Sequence, residues 1–370
     1  MSESNFTGNT EKEMTEKGYR ARIGNWVKRT PYKNFYEDIR THIIGQDDAL
    51  ADACLEIYNY LEKMSEGKHN KNAVLITAPS GNGKSFFYEK IQDYFSQHLS
   101  FLPVYQVDCS TLTETGYKGA EPISITEGLF KTPYLDGLGI VFLDEADKKI
   151  MPSYSSHDEN INVKVQQGLL TAIEGCIIRG EPDKDSKPKQ IRTDNTLFVL
   201  LGAFTELRET KSLRSNPRHL GFSSKPEPTQ ISHYEDITRE DLIECGGCYE
   251  FVGRISRIIN FHTLSEDAVR SIINSMLKDE SDNIGIKIQI DESSVQELIK
   301  NGNSKFGCRL LRSKIHDRTM TVYKQIKLNY AYADINCIIL SEDGDKIIFN
   351  QNICEQPYRR NCLFSVQEKI

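Results

Sequence analysis

From Ile43 onward, short runs of almost unbroken apolar residues alternate with stretches in which apolar residues recur every three or four positions. The runs Ala73–Thr77, Pro103–Asp108, Gly139–Asp144 and Thr196–Gly202 read as strands buried on both faces, because a strand with one wet face would alternate apolar with polar residues. Between the first two, Phe87, Ile91, Tyr94 and Phe95 follow helical spacing and predict a helix lying on the sheet. Strands alternating with helices predict an α/β fold built on a largely parallel sheet. The pattern changes near Phe261: Ser265–Leu277, Ser293–Asn301 and Arg309–Ile326 read as amphipathic helices. A short β segment, Cys337–Leu340 and Lys346–Phe349, folds about the turn-like Glu342-Asp343-Gly344-Asp345. The expected organisation is a mobile polar extension over residues 1–30, a large α/β domain over 31–261 and a smaller, mostly helical domain over 265–370, with Trp26 and Tyr32–Tyr36 near the start of the packed body. Residues 149–162, 181–194 and 205–232 read as polar loops.

Of the 370 residues, 38% are hydrophobic and 27% charged, the profile of a globular chain rather than a fibrous or wholly disordered one. The apolar runs are well short of the ~20 residues that span a bilayer, and the first twenty residues lack a secretory signal pattern, so no membrane segment is expected. Fifty-three acidic side chains against 46 basic ones leave a net charge of −7. That balance offers no general attraction to phosphate backbones, and no nucleic-acid partner is expected. Nine cysteines, scattered from Cys54 to Cys362, suit a reduced cytoplasmic chain better than a disulfide framework. Cys245 and Cys248 form a single CxxC, with His233 the nearby candidate for a third ligand. Four ligands are the norm for structural zinc, so none is expected and ordinary loop or core cysteines are preferred.

Candidate chemistry concentrates at two strand ends. Ala73-Val-Leu-Ile-Thr-Ala-Pro79-Ser80-Gly81-Asn82-Gly83-Lys84-Ser85 carries a strand into a glycine-containing loop and then a helix. Gly81 and Gly83 let backbone N–H groups face phosphate oxygens, Lys84 reaches toward the β- and γ-phosphates, and the Ser85 hydroxyl can join a magnesium shell. The pattern GxxxxGK[ST] has Ala78 at its first glycine, which costs about 1 kcal/mol or more if that position needs positive φ and nothing if it does not. A plain glycine turn in a helix–sheet contact is the alternative. The second strand end is Gly139-Ile-Val-Phe-Leu-Asp144-Glu145-Ala-Asp147. Asp144 there can hold magnesium, through water or Ser85, and Glu145 can orient and polarise an attacking water. Ligands of parallel sheets gather at such carboxyl ends.

Several further motifs fall in the order of one family. Ile43-Ile44-Gly45-Gln46 precedes Tyr58-Asn59-Tyr60-Leu61; Asp108-Cys-Ser-Thr-Leu-Thr-Glu-Thr-Gly116-Tyr117-Lys118-Gly119 follows the phosphate loop; Val165 to Gly175 follows the acidic pair; Glu250-Phe-Val-Gly-Arg254 and Gly307-Cys-Arg309-Leu-Leu-Arg312 come later. Over roughly residues 40–340 the chain resembles the AAA+ ring ATPases, and within them the ClpX unfoldases. The related HslU unfoldases carry a large insertion after the acidic motif, which the short span from Glu145 to Thr196 does not accommodate.

The resemblance implies a P-loop parallel-sheet large domain followed by a small helical domain. It implies ATP and Mg2+ as cofactors, with Ile43, Ile44, Pro79, Ser80, Gly81, Asn82, Gly83, Lys84, Ser85 and Phe86 around the nucleotide. Asp144 and Glu145 serve hydrolysis; Arg254 reaches a neighbouring subunit's γ-phosphate; Arg309 contacts the nucleotide of its own subunit. Gly116, Tyr117, Lys118 and Gly119 form a substrate-gripping pore loop. The family more often has an apolar residue where Lys118 stands. Leu220-Gly221-Phe222 matches a tripeptide that docks on the ClpP peptidase. The implied assembly is a homohexameric ring that threads protein substrates and feeds a ClpP-like peptidase. A peptidase-independent remodelling ATPase and a nucleotide-switched scaffold of weak turnover stand as alternatives. Two departures are visible. No cysteine precedes Cys54, so the family's N-terminal zinc module has no counterpart; and the strand ending Leu200-Leu201-Gly202-Ala203 shows no obvious polar first sensor, Asn195 and Thr196 lying at its start.

Overall fold

The structure, a computed structural model, describes residues 16–113, 120–132, 135–154, 159–179, 190–215, 236–302, 307–330, 334–349 and 368–369. It divides into two compact units, one running to His262 and the other from Thr263 onward, with Ser80–Asn82 grouped with the latter.

The first unit opens with helices α1 (Glu16–Arg29), α2 (Tyr32–Arg40) and α3 (Asp47–Ser65), and then enters the sheet. Strand β1 (Ala73–Thr77) leads to α4 (Lys84–His98), β2 (Val104–Asp108), β3 (Gly139–Asp144), a short α5 (Asp147–Ile150) and α6 (Asn162–Glu174). A small antiparallel hairpin, β4 (Ile177–Arg179) with β5 (Gln190–Arg192), precedes β6 (Thr196–Gly202). Helices α7 (Thr205–Ser215), α8 (Arg239–Glu244) and α9 (Tyr249–Gly253) lead to β7 (Ile255–Asn260). The main sheet runs β2-β3-β6-β1-β7, and every pairing in it is parallel.

Burial on both faces explains the unbroken apolar strands. Val74, Ile76, Ile140, Phe142, Leu197, Val199 and Leu201 point into one core, shared with α1 to α4. Their neighbours Ala73, Leu75, Val141, Leu143, Phe198 and Leu200 point into the other, shared with α6, α8 and α9. The alternation of side chains along a strand thus distributes one apolar run between two cores.

The N-terminal region differs from the sequence expectation. Residues 16–29 are helical, not a mobile extension, and Tyr19, Ile23 and Trp26 sink one face of α1 into the first core. Trp26 lies 5.8 Å from Phe35, 5.7 Å from Tyr58 and 5.7 Å from Phe95, ring centre to ring centre. Arg20 ties the helix down further, its Nη1 donating to the Met64 carbonyl at 2.7 Å and its Nη2 to Asn195 Oδ1 at 3.0 Å. The spacing of Tyr19, Ile23 and Trp26 carried this signal; the charged residues between them masked it. Within 205–232, residues 205–215 form α7 rather than loop.

The second unit contains α10 (Glu266–Ile284), β8 (Lys287–Ile290), α11 (Glu292–Gly302), α12 (Gly307–Asn329), β9 (Ile335–Leu340), β10 (Lys346–Phe349) and β11 (Glu368–Lys369). Ser265 caps α10 by accepting the Ala268 amide at 3.2 Å, and Gly285 ends it with φ of 69°. The strands make a sheet ordered β11-β10-β9-β8, in which β8 joins β9 in parallel and the rest pair antiparallel. Strand β8 escapes the sequence reading because Lys-Ile-Gln-Ile is too short a run to separate from its helical flanks. Among the described residues no helix is long and apolar enough to cross a membrane.

Replacing Trp26 by Ala should remove the hub of the aromatic cluster and lower unfolding free energy by about 3–5 kcal/mol. Urea denaturation followed by far-UV circular dichroism measures this; an extension without structural weight would leave the midpoint unmoved.

Candidate functional site

The candidate phosphate-binding loop leaves the C-terminal end of β1, an interior strand of the sheet. The Thr77 carbonyl accepts the Phe261 amide at 2.7 Å, and the Ala78 amide donates to the Gly202 carbonyl at 3.2 Å. Ala78 is buried and is not among the described residues with positive φ, so its methyl group meets no backbone penalty there. Gly81 and Gly83 adopt φ of 77° and 98°, the left-handed region that favours glycine. Lys84 curls back so that Nζ donates to the Ala78 carbonyl at 2.6 Å and lies 3.4 Å from that of Pro79. Asn82 Nδ2 closes on the Ser80 carbonyl at 3.2 Å.

Helix α4 has Gly83 as its N-cap, and its first turn has neither an acidic residue nor a side-chain cap. Its first N–H groups therefore present donors and a partial positive charge to an anion. A Cβ placed on Gly83 would meet nothing within 4 Å among the described residues, so this position is uncrowded. Ser85 and Phe86 are half-buried on the same first turn.

The acidic pair ends β3, which is separated from β1 by β6 alone. Asp144 Oδ1 accepts the Glu145 amide at 2.9 Å, and Oδ2 accepts from Gln106 Nε2 on β2. Gln106 went unnoticed in the sequence, because only the register Gln106–Phe142 and Asp108–Asp144 brings it beside the acid. Glu145 is exposed, with φ of 52°. A non-glycine residue held there costs on the order of 1 kcal/mol, the kind of strain that clusters at working sites. The next amide, Ala146, is fixed to the Leu201 carbonyl at 2.9 Å. Asp147 is structural instead. It is buried and accepts the Phe204 amide at 3.1 Å, steadying the turn from β6 into α7.

The donors available for a divalent cation are hard oxygens, the Ser85 hydroxyl and the Asp144 carboxylate. An ionised carboxylate has about four lone-pair sites, so the two bonds at Asp144 leave capacity. Magnesium in nucleotide sites takes one or two protein oxygens and completes its shell with phosphate and water. The residues fit that ion. Among the described residues no cluster of three His, Cys, Asp or Glu forms a metal cage of its own.

A sequence profile described as "AAA domain (Cdc48 subfamily)" matches residues 69–258, the stretch that holds both strand ends. The chain belongs to the AAA family of ATPases. It is similar to curated proteins named "ATP-dependent Clp protease ATP-binding subunit ClpX". One from Bacteroides thetaiotaomicron is 28% identical over 316 residues, covering 77% of this chain and 74% of that protein. Another, from Porphyromonas gingivalis, is 28% identical over 306 residues, 75% and 73% of the two chains. A third, from Bacteroides fragilis, is 27% identical over 330 residues, 81% and 77%. The chain is thus an AAA+ ATPase that resembles ClpX.

In this AAA+ ATPase the remaining motif residues are spread over both units. Ile43 is buried and Ile44 half-buried just before α3. Gln46 next to them is nearly fully buried, its Nε2 donating to the His262 carbonyl at 2.6 Å and its Oε1 accepting the His262 amide at 2.9 Å. Tyr58 and Tyr60 are structural. The Tyr58 hydroxyl binds the Val27 and Thr30 carbonyls, and that of Tyr60 binds those of Gly139 and Asn195. Asn195 lies at the amino end of β6, opposite the phosphate loop, where it binds Arg20 and the Asp136 carbonyl.

Arg254, at the end of α9, is held by Glu174 of α6, with Nε and Nη2 at 2.9 and 2.6 Å from the same carboxylate oxygen. Arg309 is an exposed residue of the first turn of α12 in the second unit. Gly116, Tyr117, Lys118 and Gly119 lie outside the described residues, as do Leu220, Gly221, Phe222 and His233. The stem of the first of these segments is described: Leu112 and Ala120 form a bridge, and the Thr113 amide donates to the Ala120 carbonyl at 2.8 Å. Cys245 and Cys248 flank the turn between α8 and α9. Burial pushes the Cys245 thiol up to about 11 and raises that of Cys248, so both stay protonated at neutral pH.

Two substitutions in the phosphate loop should separate. Ala78→Gly should leave ATP affinity within about twofold, since no positive φ is relieved. Gly83→Ala forces a side chain into φ of 98° and should weaken ATP binding about fivefold or more. Titration calorimetry with the two variants checks this contrast.

Proposed function

We propose that this AAA+ ATPase is a protein unfoldase and translocase that works as a homohexameric ring and pulls polypeptide through the ring's central pore. The observation that carries the reading is the pairing of an open, uncapped α4 N-terminus at the end of β1 with Glu145 displayed at the end of β3. The similarity to proteins named as ATP-binding subunits of a Clp protease gives that pairing its direction.

In this reading the first amides of α4, with Lys84, hold the triphosphate, and Ile43 and Ile44 border the adenine. Lys84 is already anchored on the loop's own carbonyls, so its charge is in place before the ligand arrives. Ser85 and Asp144 hold Mg2+, whose charge offsets that of the phosphate oxygens. Glu145 orients the attacking water and accepts its proton. Its backbone is fixed through the Asp144 side chain on one side and the Ala146 amide on the other, which aims the carboxylate. Arg254 leaves Glu174 and stabilises the γ-phosphoryl group of a neighbouring subunit, while Arg309 contacts the nucleotide of its own chain. Both members of the Arg254–Glu174 pair are 43% exposed, so parting them costs little.

The Leu112–Ala120 bridge supports a role for residues 114–119 as a pore loop with closed roots, in which Tyr117 grips substrate and Lys118 sits beside it. An aromatic ring packs on many sequences alike, which suits a puller of unfolded chains. Leu220-Gly221-Phe222 is proposed to dock a ClpP-like peptidase. A reduced cytoplasmic setting belongs to the same proposal and is supported by free thiols at all seven described cysteines.

The Glu145→Gln variant tests the core of this reading. ATP hydrolysis should fall at least about 10²-fold while ATP binding persists. Electron microscopy of that variant with ATP and a folded client should show six-membered rings with density in the pore at Tyr117. Undiminished turnover removes Glu145 from catalysis, and a monomer saturated with ATP removes the ring. Peptidase feeding has its own readout: Phe222→Ala should abolish co-degradation with the peptidase and leave unfolding intact.

A further inference from the structure

Arg208 is the largest fully buried side chain of the described residues, at 1% exposure, and no motif names it. It rises from the first turns of α7, its own amide donating to the Phe204 carbonyl at 2.9 Å. Its Nε donates to the Ala203 carbonyl at 3.2 Å. Its Nη2 donates to the Thr77 hydroxyl, and lies 3.5 Å from Asn260 Oδ1. The Thr77 hydroxyl in turn donates to Asn260 Oδ1 at 2.7 Å. Asn260 is also held by residue 237: Oδ1 accepts the Ile237 amide at 2.9 Å, and Nδ2 donates to its carbonyl at 3.2 Å.

Each of these positions is a strand end. Thr77 is the last residue of β1, one before the carbonyl on which Lys84 rests. Asn260 is the last residue of β7, in register with Thr77. Ala203 follows the last residue of β6, whose Gly202 is also in register with Thr77. One guanidinium therefore bonds, directly or through Thr77, to the ends of three adjacent parallel strands. Thr77, Phe204, Ile237 and Phe261 are all buried here, and the Arg208–Thr77 bond is made away from water, where losing a partner costs most, while the bonds to Ala203 and Asn260 are partly buried. Apolar side chains could fill the same space. They would not set the height of the β1 end against its neighbours, because dispersion contacts lack direction.

We propose that Arg208 is a positioning residue for ATP binding, acting through the Thr77 hydroxyl to fix the root of the phosphate loop against β6 and β7. The inference rests on reading residues 78–85 as the nucleotide site. Its effect is on the cradle itself, which serves bound ATP and the transition state alike. Loss of such uniform binding raises KM and leaves kcat nearly unchanged. A residue that merely supported the fold would act differently, lowering the active fraction and so the apparent kcat at constant KM.

Steady-state ATPase kinetics on the full chain separate these cases, with three variants. Thr77→Val keeps the shape and removes the hydroxyl. Thr77→Ser keeps the hydroxyl and removes a methyl group. Arg208→Lys keeps the charge with a single donor group. We expect KM for ATP to rise about fivefold or more in Thr77→Val and Arg208→Lys, with kcat within about twofold, and Thr77→Ser to stay near the parent in both. If one of the first two variants fails to fold by circular dichroism, the other decides. A folded Thr77→Val or Arg208→Lys variant with parental KM, or with lowered kcat alone, overturns the proposal. So does a Thr77→Ser variant as impaired as Thr77→Val. Should the parent chain itself show no turnover, and none be lost in Glu145→Gln, it is the assignment of the nucleotide site that fails, a different outcome from parental kinetics in the Thr77 and Arg208 variants.

Discussion

Strand β1 has no free edge. Its backbone pairs with β6 on one side and β7 on the other, and its side chains are buried on both faces. A strand clasped in this way cannot slide, because a slip of one residue would exchange the contents of the two cores. The loop at its end inherits that rigidity. Thr77, Ala78 and Phe261 are tied amide to carbonyl across the three strand ends, so Gly81 and Gly83 turn from a fixed point. The same constraint governs β3, whose end must stay level with β6 for the Ala146 amide to meet Leu201. Both pieces of chemistry, the anion-facing helix end and the exposed glutamate, depend on parallel register more than on any contact they make themselves.

The electrostatics of the site follow from what is left open. Helix α4 starts on a glycine with no capping side chain, although capping contributes about 1 kcal/mol to an ordinary helix. Helices α8 and α10 in the same chain are capped by Thr238 and Ser265, whereas α2, α3, α6 and α9 begin, like α4, without a side-chain cap; what sets α4 apart is its place at the end of β1 on a glycine of positive φ. A helix start that forgoes its cap keeps its donors for a ligand. Strain at Glu145 has the same sense: a left-handed backbone at a strand end turns the carboxylate away from the sheet and toward solvent, where a reacting water can be met.

Much of this was legible in the residues alone. Four of the five strands of the main sheet showed as mostly apolar runs: β1, β3 and β6 because burial on two faces leaves little room for polar residues, and the edge strand β2 through Val104, Tyr105 and Val107 although it carries Gln106 and is only half-buried. The fifth, β7, did not: Ser256 and Arg257 interrupt it, and as an edge strand it tolerates them, with Arg257 paired to Asp52 and Glu56 on α3. The candidate phosphate loop and the Asp144–Glu145 pair stood out because the chemistry proposed for them demands particular residues at fixed spacing. Helix α1 was hidden by charge, since three core residues among polar neighbours leave only periodicity as a signal. Gln46, Gln106 and Arg208 were illegible for another reason. Each acts on a residue far away in sequence, and a single chain read in order holds no record of who faces whom across a sheet.

If Arg254 acts as proposed, its pairing with Glu174 is a way of storing a working residue without trapping it. Were the pair buried, parting it would strand two charges in a poor dielectric at a cost of about 3–5 kcal/mol. At 43% exposure on each side it is a surface pair, worth about 0–1 kcal/mol. A triphosphate carries several negative charges, so in the proposed role of Arg254 an arriving phosphate would compete with the Glu174 carboxylate for the guanidinium. Glu174 ends α6, the helix whose Gln166 also binds the Cys248 amide at the start of α9. The carboxylate and the arginine are therefore carried by elements already bolted together, which under the proposed function would let the arginine return to one resting place. Storage of this kind needs rigid carriers and a weak bond, and the chain supplies both.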